Sequence, residues 1–193
     1  MKIAVLGGTF DPPHYGHLLV ARQILEEKEN IDEVWLLPAN TNPDKKIYAL
    51  VEDRLAMVKL LQEDHIKVSD IDISRGGETY TIDTIRKLIL DKKNQYIWVM
   101  GSDLLPQFEK WEGYKEIISS IEILIFPRPD YPIKNIGKSI KILPKNHLLT
   151  VNYSSTVIRQ RIAKGLSIKG LVPEKVEEYI NKKHLYSLNK MYV

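Results

Sequence analysis

The sequence predicts an α/β fold: a doubly wound parallel sheet with helices on both faces and a small C-terminal helical segment. Three observations predict it. Apolar runs of strand length recur along the chain: "KIAVL" (Lys2 to Leu6), "EVWLLPA" (Glu33 to Ala39), "YIWVMG" (Tyr96 to Gly101) and "IEILIFPRP" (Ile121 to Pro129). Patterns of helical period separate them. Glycine or proline closes each run, as expected of buried parallel strands joined by crossovers.

Each element follows in order. "KIAVL" is a continuous apolar run that stops at Gly7 and Gly8, which reads as a central strand. "HLLVARQILEEKEN" then places Leu18, Leu19, Ala21, Ile24 and Leu25 at helical spacing, with charges following. After the second strand, which stops at Pro38, "VEDRLAMVKLLQED" (Val51 to Asp64) reads as an amphipathic helix, and "IKVSDIDI" (Ile66 to Ile73) has the alternation of a strand. "TYTIDTIRKLILDKK" is helical in its later part, with Ile82, Ile85, Leu88 and Ile89 on one face. Two further helices close the chain. "SSTVIRQRIAKG" has Ser154 or Ser155 as N-cap and Gly165 as stop, and "PEKVEEYINKKHLY" has Pro173 in its first turn. The stretch from 130 to 146, rich in Lys, Ile and Pro, gives no clear pattern.

Composition narrows the function classes. The 193 residues fit one domain, 1–193, with no repeat, linker or low-complexity segment. No apolar run approaches the ~18 residues of a membrane span, and Met1 and Lys2 lead straight into strand and glycines rather than a signal peptide. The expectation is a cytoplasmic protein. Cysteine is absent, which excludes disulfides, thiolate nucleophiles and Cys-based zinc sites. A net charge of +3 suits an anionic small substrate. No dense basic tract points to nucleic acid; Lys92 and Lys93, or Lys182 and Lys183, read as solvated helix ends.

Two stretches carry chemistry. In a doubly wound sheet, ligands bind beyond the carboxyl ends of the strands. "GGTFDPPHYGH" (Gly7 to His17) stands at such an end and opens a helix. Its glycines permit close approach of backbone to a ligand, and free N–H groups at the helix start favour an anion. It is neither a dinucleotide fingerprint nor a Walker loop. His14 and His17, three residues apart, share one face. They read as surface histidines of a plain turn, as a metal pair, or as N–H donors aimed at a phosphoryl group. "SSTVIR" (Ser154 to Arg159) opens a second helix with hydroxyls and an arginine, which is either a simple N-cap or a second phosphate site. Together the two make the outline of a triphosphate site.

These residues carry a resemblance. "GGTFDPPHYGH" matches the H-x-G-H motif of the nucleotidyltransferase superfamily, whose sheet is Rossmann-like, and "SSTVIR" matches its C-terminal signature. Within that superfamily the chain resembles the bacterial nicotinate-nucleotide adenylyltransferases nearly end to end. "LLPANTNPDKK" is similar to their Pro-rich, Lys-containing loop, "SRGGETYTIDTI" to their T-Y-T-x-D-T segment, and "MGSDLLPQFEKW" to their G-x-D…W segment. "GLVPEKVEEYINKKHLY" is similar to their C-terminal helix.

The resemblance implies roles. His14 and His17 contact ATP phosphates, His17 stabilising charge at the α-phosphate. Gly7, Gly8, Thr9 and Phe10 line the shared phosphate site, with Lys45 beside it. Ser155, Thr156 and Arg159 hold the β- and γ-phosphates. Gly101 and Asp103 sit at the adenosine side. Trp111 stacks on the pyridine ring, and Thr79 and Tyr80 serve its carboxylate. Mg²⁺ comes with ATP, no protein metal ligands being required, and His14, His17, Arg159 and lysines neutralise charge. The partners implied are ATP and nicotinate mononucleotide, without nucleic acid or membrane and with room for a homo-oligomer. One departure stands out: Pro43-Asp44-Lys45 replaces the family's Pro-His-Lys, and an aspartate cannot donate to a phosphate. Tyr153 also replaces a small aliphatic residue.

The implied reaction is AMP transfer from ATP to nicotinate mononucleotide by direct attack, with pyrophosphate released. Rival readings are a pantetheine-phosphate or nicotinamide-mononucleotide acceptor, and a nucleotide-binding module without turnover. A synthetase fragment would want a K-M-S-K-S-like loop, which is not visible.

Overall fold

The computed structural model describes residues 1–27, 30–43, 45–133, 140–144 and 148–187. Six strands form one sheet: β1 (Lys2–Gly8), β2 (Glu33–Pro38), β3 (Ile66–Val68), β4 (Gln95–Gly101), β5 (Glu122–Phe126) and β6 (Ile140–Ile142). Their order is β3-β2-β1-β4-β5-β6, and every pairing is parallel. The chain winds outward from β1 through β2 and β3, then crosses back to β4 and winds the other way. The switch lies between β1 and β4, so the crevice for a ligand opens beyond their C-terminal ends, Gly8 and Gly101.

Strand alternation divides the core into two. Ala4, Val34, Leu36, Val99 and Leu124 face one side and pack with Ile24, Val58, Ile158, Val176 and Ile180. These belong to α1 (Tyr15–Glu27), α2 (Val51–Lys59), α7 (Ser155–Ala163) and α8 (Glu174–Lys183). Ile3, Val5, Trp98, Ile123 and Ile125 face the other side. There they meet Ile82, Ile85 and Leu88 of α4 (Thr81–Ile89), Phe108 of α5 (Leu105–Phe108) and Ile117 of α6 (Tyr114–Ser120). Burial of a side chain such as Ile158 contributes about 1.5–3 kcal/mol, and it docks α7 on the same face as α1. The stretches Gly7 to His17 and Ser154 to Arg159 therefore open helices on one side of the sheet.

Several boundaries differ from the sequence reading. "IKVSDIDI" is strand only to Val68; Ile71–Arg75 is α3. The alternation misleads because Asp72 is buried, accepting hydrogen bonds from Arg75 (2.8 Å) and Thr84 (2.6 Å) that fix a helical turn. Helix α2 ends at Lys59, and the apolar residue beyond it, Leu61, is buried in a turn instead. Pro173 is the N-cap of α8 rather than a first-turn residue. The unreadable stretch contains β6, a short edge strand. Gly165 does stop α7: at φ +66° it lets Leu166 N–H reach Arg161 C=O (2.8 Å) and its own N–H reach Ile162 C=O (2.9 Å). Among the described residues, no helix is long and apolar enough to cross a membrane.

Candidate active site

The turn after β1 is tied down from several directions. Arg54 of α2 is 1% exposed and donates to the carbonyls of Thr9 (2.8 Å), Ala39 (2.7 Å) and Asn40 (2.6 Å). One guanidinium thus ends β1 and β2 together, and Gly8 C=O accepts from Ala39 N–H (2.9 Å). Burial lowers the pKa of Arg54, but an arginine stays cationic there. Phe10 follows at φ +49° with its ring buried against His17, centroids 4.6 Å apart. Asp11 is buried and accepts from the N–H groups of Tyr48 (2.8 Å) and Ala49 (3.1 Å).

His14 and His17 stack on one another, centroids 3.8 Å apart and planes at 24°. Nδ1 of His17 accepts from His14 N–H at 3.1 Å, which leaves its proton on Nε2. Tyr153 flanks the pair, 6.1 Å from the His14 ring. Gly16 makes this possible: a Cβ there would lie 2.9 Å from His14 Nδ1 and 3.0 Å from Tyr153 Cβ. Burial holds the His14 pKa at about 3 rather than 6.5, with the Arg128 charge adding to the effect. Burial first, then His14 and Arg128, also lowers His17 well below 6.5. Both rings are therefore neutral at pH 7. They offer N–H groups rather than positive charge. His14 Nδ1 is buried without a hydrogen-bond partner.

The second motif lies against the first. Neither serine hydroxyl caps α7: Ser154 takes the N-cap position without a side-chain bond, and Ser155 Oγ donates to Pro12 C=O at 2.9 Å. Arg159 donates to Asp11 C=O (2.6 Å) and to Thr156 Oγ1 (3.2 Å), and its guanidinium lies 4.4 Å from the Tyr48 ring centroid. Lys46 approaches the same ring at 5.4 Å, and Lys45 is exposed in the loop before it. Asp44, the departure from the family pattern, lies outside the described residues. Gln23 of α1 adds a further tie, its Nε2 donating to Leu149 C=O (3.1 Å) in the segment that leads to α7.

Across the crevice, Gly101 ends β4 and Asp103 stands in the 3-10 turn Ser102–Leu104. Asp103 pairs with Arg128 Nε at 3.3 Å. A Cβ on Gly101 would fall 2.2 Å from the Asp103 carboxylate, so the glycine is required by that pair. A cavity of about 410 Å³ opens alongside, lined by Ser102, Leu105, Pro106 and Tyr131. Arg128 was not singled out from the sequence, where it reads only as part of "FPRP". It is nevertheless the cation whose field reaches both histidines.

Tyr80 and Trp111 pack on the other face of the sheet. Thr79 Oγ1 accepts from Asn40 N–H (3.0 Å), so the hydroxyl proton is available to an acceptor. The Tyr80 hydroxyl donates to Glu78 (2.8 Å). Tyr80 rather than a threonine is the N-cap of α4, and it makes no side-chain cap bond. Trp111 is partly buried, with an edge-on contact to Phe108 at 5.2 Å. Two residues on, Gly113 packs directly on Ile82 of α4, which brings the tryptophan's turn to the start of the Thr79-Tyr80 helix. His14, His17, Ser155 and Arg159 are thus linked into one cluster through the backbone of residues 11–14. Trp111, Thr79 and Tyr80 form a separate group.

The chain is similar to known proteins along its whole length. Residues 5–161 match the family model described as cytidylyltransferase-like. Curated relatives named "Probable nicotinate-nucleotide adenylyltransferase" are similar along the whole chain. That of Shouchella clausii (strain KSM-K16) is 38% identical, covering 97% of this chain and 98% of its own length. That of Synechococcus sp. (strain JA-2-3B'a(2-13)) is 38% identical, covering 96% of each. The Halalkalibacterium halodurans relative is 35% identical, covering 98% of this chain and 93% of its own. The fold is similar to the Plasmodium falciparum nicotinic acid mononucleotide adenylyltransferase complexed with NaAD: TM-score 0.78, 23% identity, 96% of this chain and 97% of that one.

Proposed function

The chain belongs to the cytidylyltransferase-like family, and from that premise and its full-length relatives we propose that it is a nicotinate-nucleotide adenylyltransferase. It transfers AMP from ATP to nicotinate mononucleotide in NAD biosynthesis. The observation that carries the site assignment is the fusion of two phosphate motifs. Ser155 and Arg159 donate to the carbonyls of Pro12 and Asp11, beside the stacked pair His14 and His17, at the switch point of the sheet.

An oxygen of the mononucleotide phosphate attacks the α-phosphorus of ATP. A P–O bond forms there as the bond to the β-phosphate bridging oxygen breaks, and pyrophosphate leaves. A phosphate monoester has its second pKa near 6, so the nucleophile is largely ionised at pH 7 and needs no strong general base. The residues position reactants and stabilise charge. His17 Nε2–H serves the α-phosphate as a neutral preorganised donor. Arg159 and Thr156 take the departing pyrophosphate, with Ser155 anchoring the helix start on Pro12 C=O and Lys45 alongside, and Arg128 adds the fixed positive charge that the neutral histidines do not supply. Gly7, Gly8, Thr9 and Phe10 line the phosphate turn, with Gly101 and Asp103 on the adenosine side.

Among the described residues, no group of three or more His, Asp or Glu is placed to hold a metal ion. Asp11 is committed to Tyr48 and Ala49, and Asp103 to Arg128. Mg²⁺ would arrive on ATP as part of the substrate, held by phosphate oxygens and water. The ion lowers the charge of the triphosphate.

The acceptor is read by Trp111, whose face suits the cationic pyridine ring, and by Thr79, whose free hydroxyl proton favours a carboxylate over an amide N–H₂. Pyrophosphate release with ATP and a panel of nicotinate mononucleotide, nicotinamide mononucleotide and phosphopantetheine tests the reading. The highest kcat/KM is expected for nicotinate mononucleotide. Preference for either other acceptor overturns it.

A further inference from the structure

The chain returns to the phosphate turn at its C-terminal end. Helix α8 finishes at Lys183, and the next residues, His184 at φ +50° and Tyr186 at φ +60°, are non-glycine residues in the left-handed region. Side chains rarely adopt that conformation, and it persists only where the surroundings over-determine it. Here the result is specific. Leu185 and Tyr186 are buried, and the Tyr186 hydroxyl donates to Asp11 Oδ1 at 2.8 Å, across 175 residues of sequence.

Asp11 Oδ1 also accepts from Ala49 N–H (3.1 Å), and Oδ2 from Tyr48 N–H (2.8 Å). Tyr48 in turn carries the Arg159 guanidinium on its ring, and Arg159 donates to Asp11 C=O. A second tie holds the same helix in place: Tyr179 of α8 donates to Asp53 of α2 at 2.8 Å. Burial and the Asp11 charge keep the Tyr186 phenol protonated, so it is the donor in its bond to Asp11.

We infer that Tyr186 is a positioning residue for the triphosphate half of the site: its hydroxyl fixes Asp11, Asp11 fixes the loop carrying Tyr48, and Tyr48 orients Arg159. This rests on the reading of Arg159 as a phosphate ligand. Trp111, in the acceptor half, packs on the other face of the sheet, outside this linkage.

The test is Tyr186→Phe, which keeps the ring and removes the hydroxyl, assayed by calorimetric binding of α,β-methylene-ATP with Mg²⁺ and, separately, of nicotinate mononucleotide. Loss of one hydrogen bond to a charged group predicts an ATP-analogue Kd about tenfold weaker, with the mononucleotide Kd within about twofold of wild type. A double-mutant cycle with Tyr48→Leu, which removes the platform but keeps the backbone donor, is expected to be less than additive. Unchanged analogue binding, equal weakening of both ligands, or full additivity overturns the inference. Hydrogen exchange on the wild-type protein gives a reading that needs no variant to fold. The analogue should slow exchange of the Tyr48, Ala49, Leu185 and Tyr186 amides while the mononucleotide does not; protection absent from 185–186 overturns it. Binding and exchange are read without turnover, so a failure of the proposed reaction shows separately, as wild-type protein that binds the analogue but makes no product.

Discussion

Arg159 donates to the backbone carbonyl of Asp11 at 2.6 Å, joining residues 148 apart in the sequence. With the Ser155 hydroxyl on Pro12 C=O, that bond makes one site of two helix starts, and it places the guanidinium between the turn and the Tyr48 ring, 4.4 Å from its centroid. Arginine is needed for this, because a planar fork can stack and donate in two directions at once.

Replacing it tests the point. Arg159→Lys should lower kcat/KM for ATP by roughly 10- to 150-fold, about 1.5–3 kcal/mol, with the fold intact by circular dichroism. Steady-state kinetics with ATP varied checks this. A lysine variant with near-wild-type kcat/KM would show that only the charge matters.

His17→Ala removes a neutral donor fixed by the His14 N–H bond to its Nδ1. The loss should be about 2.7–4 kcal/mol of transition-state stabilisation, expressed in kcat with the substrate KM values little changed. Single-turnover rates at saturating substrate provide the measurement.

The histidines also make a pH prediction whose sign is fixed. The folded-state pKa of His14, about 3, lies below the ordinary 6.5. Between those values the unfolded chain binds the extra proton, so stability rises with pH across the window and falls on acidification. From pH 7 to pH 5 this one residue contributes a loss of about 2 kcal/mol, and His17, shifted in the same direction, adds to it. Denaturant unfolding of the ligand-free protein at both pH values should show the loss, and His14→Asn should shrink it.

Trp111→Ala should raise the KM for nicotinate mononucleotide about tenfold, the scale of a lost cation–π contact, and leave the KM for ATP nearly unchanged. Its edge contact with Phe108 adds some loss of thermal stability. Equal KM increases for both substrates would mark Trp111 as a packing residue alone.

Much of this was legible in the sequence, for identifiable reasons. The central strands β1, β2, β4 and β5 are buried on both faces, so they read as uninterrupted apolar runs closed by glycine or proline. "IKVSDIDI" misled because Asp72 is a buried polar residue satisfied by Thr84, a partner 12 positions away that no local pattern reveals. The short α5, α6 and β6 carry too few residues for a period to register. His14, His17, Ser155 and Arg159, which the fold clusters, were legible through their motifs. Arg54, Arg128 and Tyr186 were not, since each acts through a bond or charge that only the fold brings close. The neutral state of His14 and His17 was equally hidden, being set by burial.

The most direct test of the central claim is isotopic. The protein is incubated with nicotinate mononucleotide, Mg²⁺ and ATP labelled separately at the α- and γ-phosphates, and products are resolved chromatographically. The account predicts the α-label in nicotinate adenine dinucleotide and the γ-label in pyrophosphate, in equal amounts, with no label on the protein. The γ-label in inorganic phosphate or on the acceptor, or the α-label on the protein, would contradict it.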